Sequence, residues 1–583
     1  MIKESPLSEY LNRFLELDSS HKRSLKIAFL SSFTINGLPE TVKVKCDDRQ
    51  INCIVYTGEY NQFNQEILNL KSKLYDFSPS LTFLILDLRS FLGDIFFFPY
   101  SYTEKEKKEF IDSKLNEIFE VITFFVNNSN SKLVISNFNS PSYSPYGIAS
   151  SKTNFGLKDM VLYINKKLKE FIVNQNSIFI FDFDGFVSKF GEKNVFNYQN
   201  YFFGDIKIDL DYIPYFANEL TPFIIAQLGI SKKCIVLDLD NTLWGGIVGE
   251  DGFDGIKLGP QLPGNTFLEF QKHLKALKNR GIILAINSKN NFNDAIQVIK
   301  EHPHMILREK DFASIRINWN DKVSNMSEIA QELNIGTDSI VFFDDDPLNR
   351  EFMRSALPDV YTVELPKDSS EYVNVLQELV EFSVFEVTDE DTKRAQMYVQ
   401  QRKRKELEIS TPNLEDLLRN LSLELTIKKS NSFTIPRISQ LILKTNQFNL
   451  TTKRYTSEEI INFTNDDNMI VGCAQVKDKF GDNGITGVFI IKKLNPHEWL
   501  LDTFLLSCRV MGREIEKGIL NYIINEAKKN CVKTIKSQYI PTEKNIPIQN
   551  FLPECGFKKN NDFWVYDLNH PFKMPDFITT KIE

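Results

Sequence analysis

From Ser24 onward, short apolar runs alternate with longer amphipathic segments, and this alternation constrains the fold more than any other feature of the chain. Leu25–Leu30, Ile51–Tyr56, Leu81–Leu86, Leu133–Ile135 and Ile178–Phe181 have the length and composition of buried strands. Between them, Ile111 to Asn127 and Leu157 to Asn174 have the length of crossover helices, so a parallel α/β sheet is the solution that buries every apolar run. A second unit of this doubly wound kind starts at Cys234, with strands near Ile235, Ile282 and Ile340 and helices over Asn265–Asn279 and Val323–Leu333. From Ser369 to about Asn420 charged helix formers dominate, including the basic run Lys393–Lys405, which reads as a solvated helix face. After Leu421 the order changes to strands with a hairpin-like turn at Lys479–Gly484, then a helix after Gly512, which predicts a separate α+β domain. The expected fold class is therefore a multidomain α/β chain, divided into 1–228, 229–368, a helical linker over 369–421, and 422–583.

Composition narrows the partners. A chain of 583 residues has room for roughly three to four domains. Its net charge of -8 offers no broad attraction for nucleic acid or an anionic membrane. No apolar segment reaches about 18 residues and the start has no signal-like apolar core, so a cytoplasmic location is expected, with no nucleic acid and no membrane as partner. The seven cysteines are scattered and never spaced as CxxC, which suggests reduced thiols and neither a zinc site nor a disulfide framework.

The stretch Cys234-Ile-Val-Leu-Asp238-Leu-Asp240-Asn-Thr242-Leu-Trp244-Gly-Gly246 carries the chemistry. Residues two apart at a strand end point to the same side, so Asp238 and Asp240 look into one crevice. A carboxylate attacks phosphorus only when its repulsion with phosphate is cancelled, which a hard divalent cation does best. Magnesium prefers oxygen ligands and fits such a site. Asp238 is then placed to attack, and Asp240 to exchange a proton with the leaving group and the incoming water.

Later strand ends supply the remaining parts. Ile282–Ile286 runs into Asn287-Ser288-Lys289-Asn290, a hydroxyl and amides suited to phosphate oxygens. Lys322 opens a helix after Asn318-Trp-Asn-Asp321, where it neutralises phosphate and nucleophile, and Ile340–Phe343 delivers Asp344-Asp345-Asp346-Pro347 to the metal shell. A look-alike, Phe181-Asp182-Phe-Asp184-Gly185, lacks the threonine and the later motifs, and reads as a plain strand end.

With these residues the chain resembles the haloacid dehalogenase superfamily and, more narrowly, its FkbH-like branch. The resemblance rests on Leu237–Gly246, Ile286–Asn290, Asn318-Trp319 with Lys322, and Phe342–Arg350, and continues in Thr445–Thr452, Phe480–Asp482 and Ser507–Gly512. One departure is Asp346, where the branch more often carries asparagine. The resemblance implies Asp238 as nucleophile, Asp240 as general acid/base, and Ser288 and Lys322 as phosphate binders, with Thr242 and Asn287 beside them. It implies Mg2+ on Asp238, the backbone carbonyl of Asp240, and Asp345 with Asp344 adjacent. It implies a substrate too: the glyceryl unit of 1,3-bisphosphoglycerate, a small phosphorylated three-carbon acid, dephosphorylated and loaded as a thioester on the phosphopantetheine arm of an acyl carrier protein. Independently, only about 40 residues separate the DxD from the next motif and about 30 more reach Lys322, too few for a large cap domain, so an open crevice is expected.

The C-terminal region resembles a GNAT-like acyltransferase fold, with Arg509, Gly512 and Arg513 in the loop expected to bind the acyl or pantetheine group. Glu514 stands where that loop prefers a small residue, which favours a carrier-borne arm over free coenzyme A. Cys508 has two readings, a thiol that carries the glyceryl group with its thiolate favoured by Arg509 and Arg513, or a packed hydrophobe. His497 is a possible base. The N-terminal unit resembles an SGNH-hydrolase-like domain with Ser32 at the nucleophile position and Asn137 or Asn139 as oxyanion donor. Because Phe203–Asp211 supplies no histidine, that domain is expected to be non-catalytic. Two alternatives stand beside the main reading: a phosphatase or acyltransferase for another phosphorylated acid, and a non-catalytic carrier-protein scaffold.

Overall fold

The computed structural model describes residues 4–17, 21, 23–388, 391, 397, 398, 400 and 413–583. Most of the basic run 393–405 lies outside them. The chain forms two compact units, 2–228 and 229–583.

In the first unit five parallel strands, β1 (Arg23–Ser31), β2 (Ile51–Thr57), β3 (Leu81–Ile85), β4 (Lys132–Ser136) and β5 (Ile178–Phe181), lie in the order β2-β1-β3-β4-β5. β3 is buried along its whole length, which is why it reads as an unbroken apolar run. Helices Glu104–Asn128 and Leu157–Ile172 bury Ile122, Phe125, Met160 and Ile164 against it. The look-alike acidic pair behaves as expected of a strand end. Asp182 caps helix Phe183–Phe190, accepting from the Gly185 amide, and Asp184 accepts from the Ser140 amide.

The second unit opens on another parallel sheet: β6 (Cys234–Leu237), β7 (Ile283–Ser288), β8 (Ser314–Ile317), β9 (Ile340–Phe343) and β10 (Tyr361–Thr362), in the order β10-β9-β6-β7-β8. β6 is central and wholly buried, so its carboxyl end opens at the middle of the sheet edge. β8 escaped the sequence reading because Ser314 and Arg316 break its apolar pattern; both face Glu332 on helix Lys322–Glu332. Between β6 and β7 lie only a short helix, Val248–Asp251, and the crossover helix Gly264–Asn279, so no cap with its own core covers the site. The expected linker boundary at 369 is corrected. Tyr372, Leu376 and Phe382 pack into the core of this domain, and the Tyr372 hydroxyl donates to the Asn241 carbonyl at 3.0 Å.

The rest of the unit is a mostly antiparallel sheet built from β11 (Leu423–Lys429), β12 (Phe448–Asn449), β13 (Met469–Asp478), β14 (Gly481–Asn495), β15 (Glu498–Leu506), β16 (Thr534–Ser537), β17 (Lys558–Asn560), β18 (Phe563–Asp567) and β19 (Ile578–Ile582). β15 and β16 are parallel and joined by helix Ile515–Lys529, the GNAT-like arrangement. They stay paired only from Glu498 to Leu501. Beyond that point β12 and the residues after it take the vacated edge, pairing with Leu505 and Leu506 and donating to the Phe504 and Asp502 carbonyls.

Candidate active site

Asp238 is the first residue past β6, with its amide still in the ladder to the Phe343 carbonyl. The same sheet edge brings Asp344 and Asp345 beside it from the end of β9, so that oxygens of all three carboxylates lie within 4.8 Å of one another. Lys322, at the start of helix Lys322–Glu332, reaches in with Nζ 3.1 Å from Asp238 and 2.6 Å from Asp344. Asp321 caps that helix by accepting from the Val323 and Ser324 amides, which fixes the lysine's point of entry.

Three carboxylates against one ammonium leave an excess of buried negative charge. Burial and the neighbouring Asp238 push the Asp344 carboxyl up to about 6, and burial with Asp238 does the same to Asp345. Burial alone would lower the lysine, but the charges of Asp238 and Asp344 outweigh it and hold the ammonium above its usual range. Asp238 Oδ1 is buried with no hydrogen-bond partner. A carboxylate oxygen in that state, inside a trio of hard oxygen donors, is what a divalent cation such as magnesium satisfies. The donor set therefore fits the metal, with Asp238, Asp344 and Asp345 to hold it.

Asp240 is not part of the trio, in keeping with an expected metal contact through its carbonyl. Its Oδ1 accepts from Trp244 Nε1 at 2.8 Å and the Val248 amide at 3.1 Å, and its Oδ2 from Asn290 Nδ2 at 2.8 Å. Burial raises this carboxyl in spite of the three donors, toward the range where a general acid works near neutrality.

The turn after Asp240 is closely held. Trp244 is wholly buried and holds the Asp240 carboxylate in place, while Asn241 takes a left-handed φ of 52° and its Oδ1 accepts from the Gly246 amide. Gly246 has φ 93°, and a Cβ there would fall 2.4 Å from Asp251 Oδ2.

Ser288 closes β7 and is 1% exposed. Thr242 Oγ1 is buried without a partner. Asn287, expected at the phosphate, turns its amide to the Lys322 carbonyl at 2.8 Å, and its Oδ1 is buried and unpartnered. Asp346, the family departure, caps helix Pro347–Ala356 by accepting from the Leu348 amide.

Arg350 was missed as a site residue. Buried beneath the acidic turn, it donates to the Asp344 and Asp345 carbonyls at 2.9 and 2.7 Å and pairs with Glu364 at 2.5 Å. An arginine one helical turn after an acidic run was the available signal.

The loop after β15 is corrected more heavily. Arg509 and Arg513, expected at the acyl or pantetheine group, are 6% and 7% exposed and turned inward. Arg509 donates to the Met397 sulfur and to Ser507 Oγ; Arg513 pairs with the buried Asp478 at 3.2 Å and donates to the Arg509 carbonyl at 2.9 Å. Gly512 keeps φ 77° with open space around it, and Glu514 adopts φ 59° and pairs with Lys517. Cys508 is half-buried, with the Tyr398 hydroxyl 4.0 Å from its sulfur and its carbonyl accepting from Asn334 Nδ2 at 2.5 Å. Asn334 lies just past the far end of helix Lys322–Glu332, so about 16 Å of helix separates Cys508 from the Lys322 end. His497 sits in the turn at the opposite end of β15, roughly 30 Å of strand away, and is no base for Cys508.

In the N-terminal unit, Ser32 Oγ accepts from the Asp87 amide at 2.9 Å. Asn137 is committed to Asp182 and the Asp184 amide, whereas Asn139 has no hydrogen-bond partner.

Residues 26–225 match the family model described as FkbH, N-terminal domain. The N-terminal part of the protein BF1531 from Bacteroides fragilis, a crystal structure containing a phosphatase domain complexed with Mg, is 30% identical; the match covers 66% of this chain and 100% of that one, with a TM-score of 0.60. Matches to a GNAT-family acetyltransferase from Staphylococcus aureus (17% identical, 25% of this chain, 99% of that one, TM-score 0.20) and to one from Elizabethkingia anophelis with acetyl-CoA bound (13%, 24%, 97%, 0.19) are also found. No curated protein matches the sequence.

Proposed function

The chain belongs to the FkbH-like family and carries its phosphatase domain of the haloacid dehalogenase type, and on that premise we propose that it is a magnesium-dependent phosphatase and glyceryl transferase. In this reading it takes the glyceryl group of 1,3-bisphosphoglycerate, removes the phosphate ester, and loads the acyl group as a thioester on an acyl carrier protein. The observation that carries the phosphatase half is the trio Asp238, Asp344 and Asp345 with Lys322 against it and an unsatisfied Asp238 oxygen at its centre. The relative from Bacteroides fragilis, complexed with Mg, supports the choice of metal.

When bound, magnesium would screen the charge of phosphate and nucleophile. The protein's own groups do the rest. Asp238 attacks phosphorus, forming an aspartyl-phosphate as the bond to the substrate's ester oxygen breaks. Asp240, fixed by Trp244, Val248 and Asn290, gives its proton to the departing alkoxide. The same carboxylate then takes a proton from water, which attacks phosphorus, frees Asp238 and releases inorganic phosphate. Lys322 neutralises Asp238 and Asp344 throughout, and Ser288 and Thr242 offer hydroxyls beside the phosphate. In the acyl half, a thiolate attacks the acyl-phosphate carbonyl, a carbon–sulfur bond replaces the carbon–oxygen bond, and phosphate leaves.

Delivery on a carrier protein is supported by the rim of the crevice. Ile247, Leu262, Phe292, Trp319 and Leu348 are large, apolar and exposed, and each belongs to a segment leaving the carboxyl end of β6, β7, β8 or β9. Exposed apolar side chains on these segments fit a macromolecular partner better than a free metabolite.

Incubation with Mg2+, acyl carrier protein and 1,3-bisphosphoglycerate, followed by intact mass of the carrier, tests the reading. A glyceryl adduct, with phosphate-ester removal lost in Asp238→Asn, is the expected result. Phosphate release without an adduct would leave a phosphatase for another phosphorylated acid. Cys508→Ser tells whether the acyl group passes through that thiol: the adduct disappears if it does and persists if the carrier thiol attacks directly.

A further inference from the structure

The N-terminal unit holds a cavity that hydrolysis does not explain. It opens at the carboxyl ends of β3 and β4, and its volume of about 60 Å³ admits a group of a few heavy atoms. Its walls are largely apolar and aromatic, with Phe96, Phe196, Tyr198 and Tyr201 among them.

The polar groups facing it are unequal. Asp87 is engaged by the Ser90 amide and by Lys207 at 3.1 Å, and Glu192 by the Ser142 amide. Lys207, 7% exposed, is shared between Asp87 and Asp205, so its charge is spent. Among the described residues, Arg89 has no carboxylate partner. Its guanidinium donates to the Tyr198 hydroxyl at 2.7 Å and stacks 5.1–5.2 Å from the rings of Phe96, Tyr198 and Tyr201, which leaves its other N–H groups unused. Asn139 is 8% exposed, lines the cavity, and makes no hydrogen bond among the described residues. An uncompensated guanidinium and a buried free amide that share an apolar cavity call for a planar anion.

Nothing there turns such a ligand over. Ser32 does not line the cavity, its oxygen accepts from the Asp87 amide, and the single histidine of this unit, His21, pairs with Asp47.

We propose that this cavity is a binding site for a short aliphatic carboxylate, its carboxylate held by Arg89 and Asn139 and its short chain against the aromatic wall, and that the site binds without catalysing. Calorimetric titration of the full chain with acetate and butyrate, beside acetamide and butyramide, tests it. The acids are expected to bind saturably and the amides about tenfold more weakly or worse, because the guanidinium contact needs the charge. Arg89→Gln is expected to weaken the acids by about tenfold and Asn139→Ala by roughly fivefold, at unchanged melting temperature. Binding that survives excess phosphate and the Asp238→Asn substitution separates this site from the phosphatase crevice. Equal affinity for acid and amide, acid binding unchanged in Arg89→Gln, competition by phosphate through Asp238, or no saturable binding would each overturn the proposal.

Discussion

The loops that follow β6 and β15 belong to one compact unit, and each sets charged side chains beside a candidate nucleophile. They differ in what those charges meet. Around Asp238, three carboxylates face one lysine, two of them are raised toward neutrality, and an Asp238 oxygen has no partner. Around Cys508, Arg509 and Arg513 are closed onto a methionine sulfur, a buried carboxylate and loop carbonyls. The first arrangement is incomplete without an added cation. The second is already satisfied and holds the loop's shape. Charge by itself therefore does not mark a binding site; charge that the fold leaves uncompensated does.

Breaking each side of this comparison has a measurable result. Asp238→Asn removes the proposed nucleophile and is expected to lower phosphate-ester hydrolysis by about 10³-fold or more at unchanged secondary structure, read by phosphate release and circular dichroism. Lys322→Met leaves Asp238 and Asp344 buried without their counter-charge and is expected to cost about 3–5 kcal/mol in urea unfolding of the metal-free protein. Arg513→Ala leaves Asp478 buried, and a loss of about 3 kcal/mol or more in the same measurement is expected, where a mere ligand contact would cost nothing in the free protein.

The metal-free protein also carries a pH signature. Asp344 and Asp345 titrate near 6 in the folded state and near 3.8 in the unfolded chain, so folding favours their protonated forms. The stability they contribute is complete below about pH 4 and is lost as pH rises through 6. Mg2+ should accordingly raise the melting temperature more at pH 7.5 than at pH 5, and an equal effect at both would count against the carboxylate trio as its site. The smallest effect belongs to Trp244→Phe, which removes one donor from Asp240: about a tenfold loss in kcat is expected, with the limb of the pH profile that reports the acid moved upward.

The parallel sheets were legible because their strands are buried on both faces and read as continuous apolar runs, as in β3 and β6. β8 was not, since Ser314 and Arg316 serve carboxylates, Glu332 and Glu328, that lie 12 or more residues further along the chain. The linker start was misplaced for a similar reason. Tyr372 and Leu376 look like part of a charged helical stretch until the fold buries them against the turn after Asp240.

The sequence by itself determined which groups meet at the sheet edge, because Asp238, Lys322 and the acidic turn each sit at the end of a strand or the start of a helix whose apolar pattern announces it. Only the tertiary structure decided what the remaining polar groups do. Asn287 donates to the Lys322 carbonyl, Trp244 donates to Asp240, Arg350 supports the acidic turn, and Arg509 and Arg513 face inward. The reason is physical. A side chain's partner is set by whatever lies across several ångströms of packed interior, and residues far apart in the chain supply that neighbour.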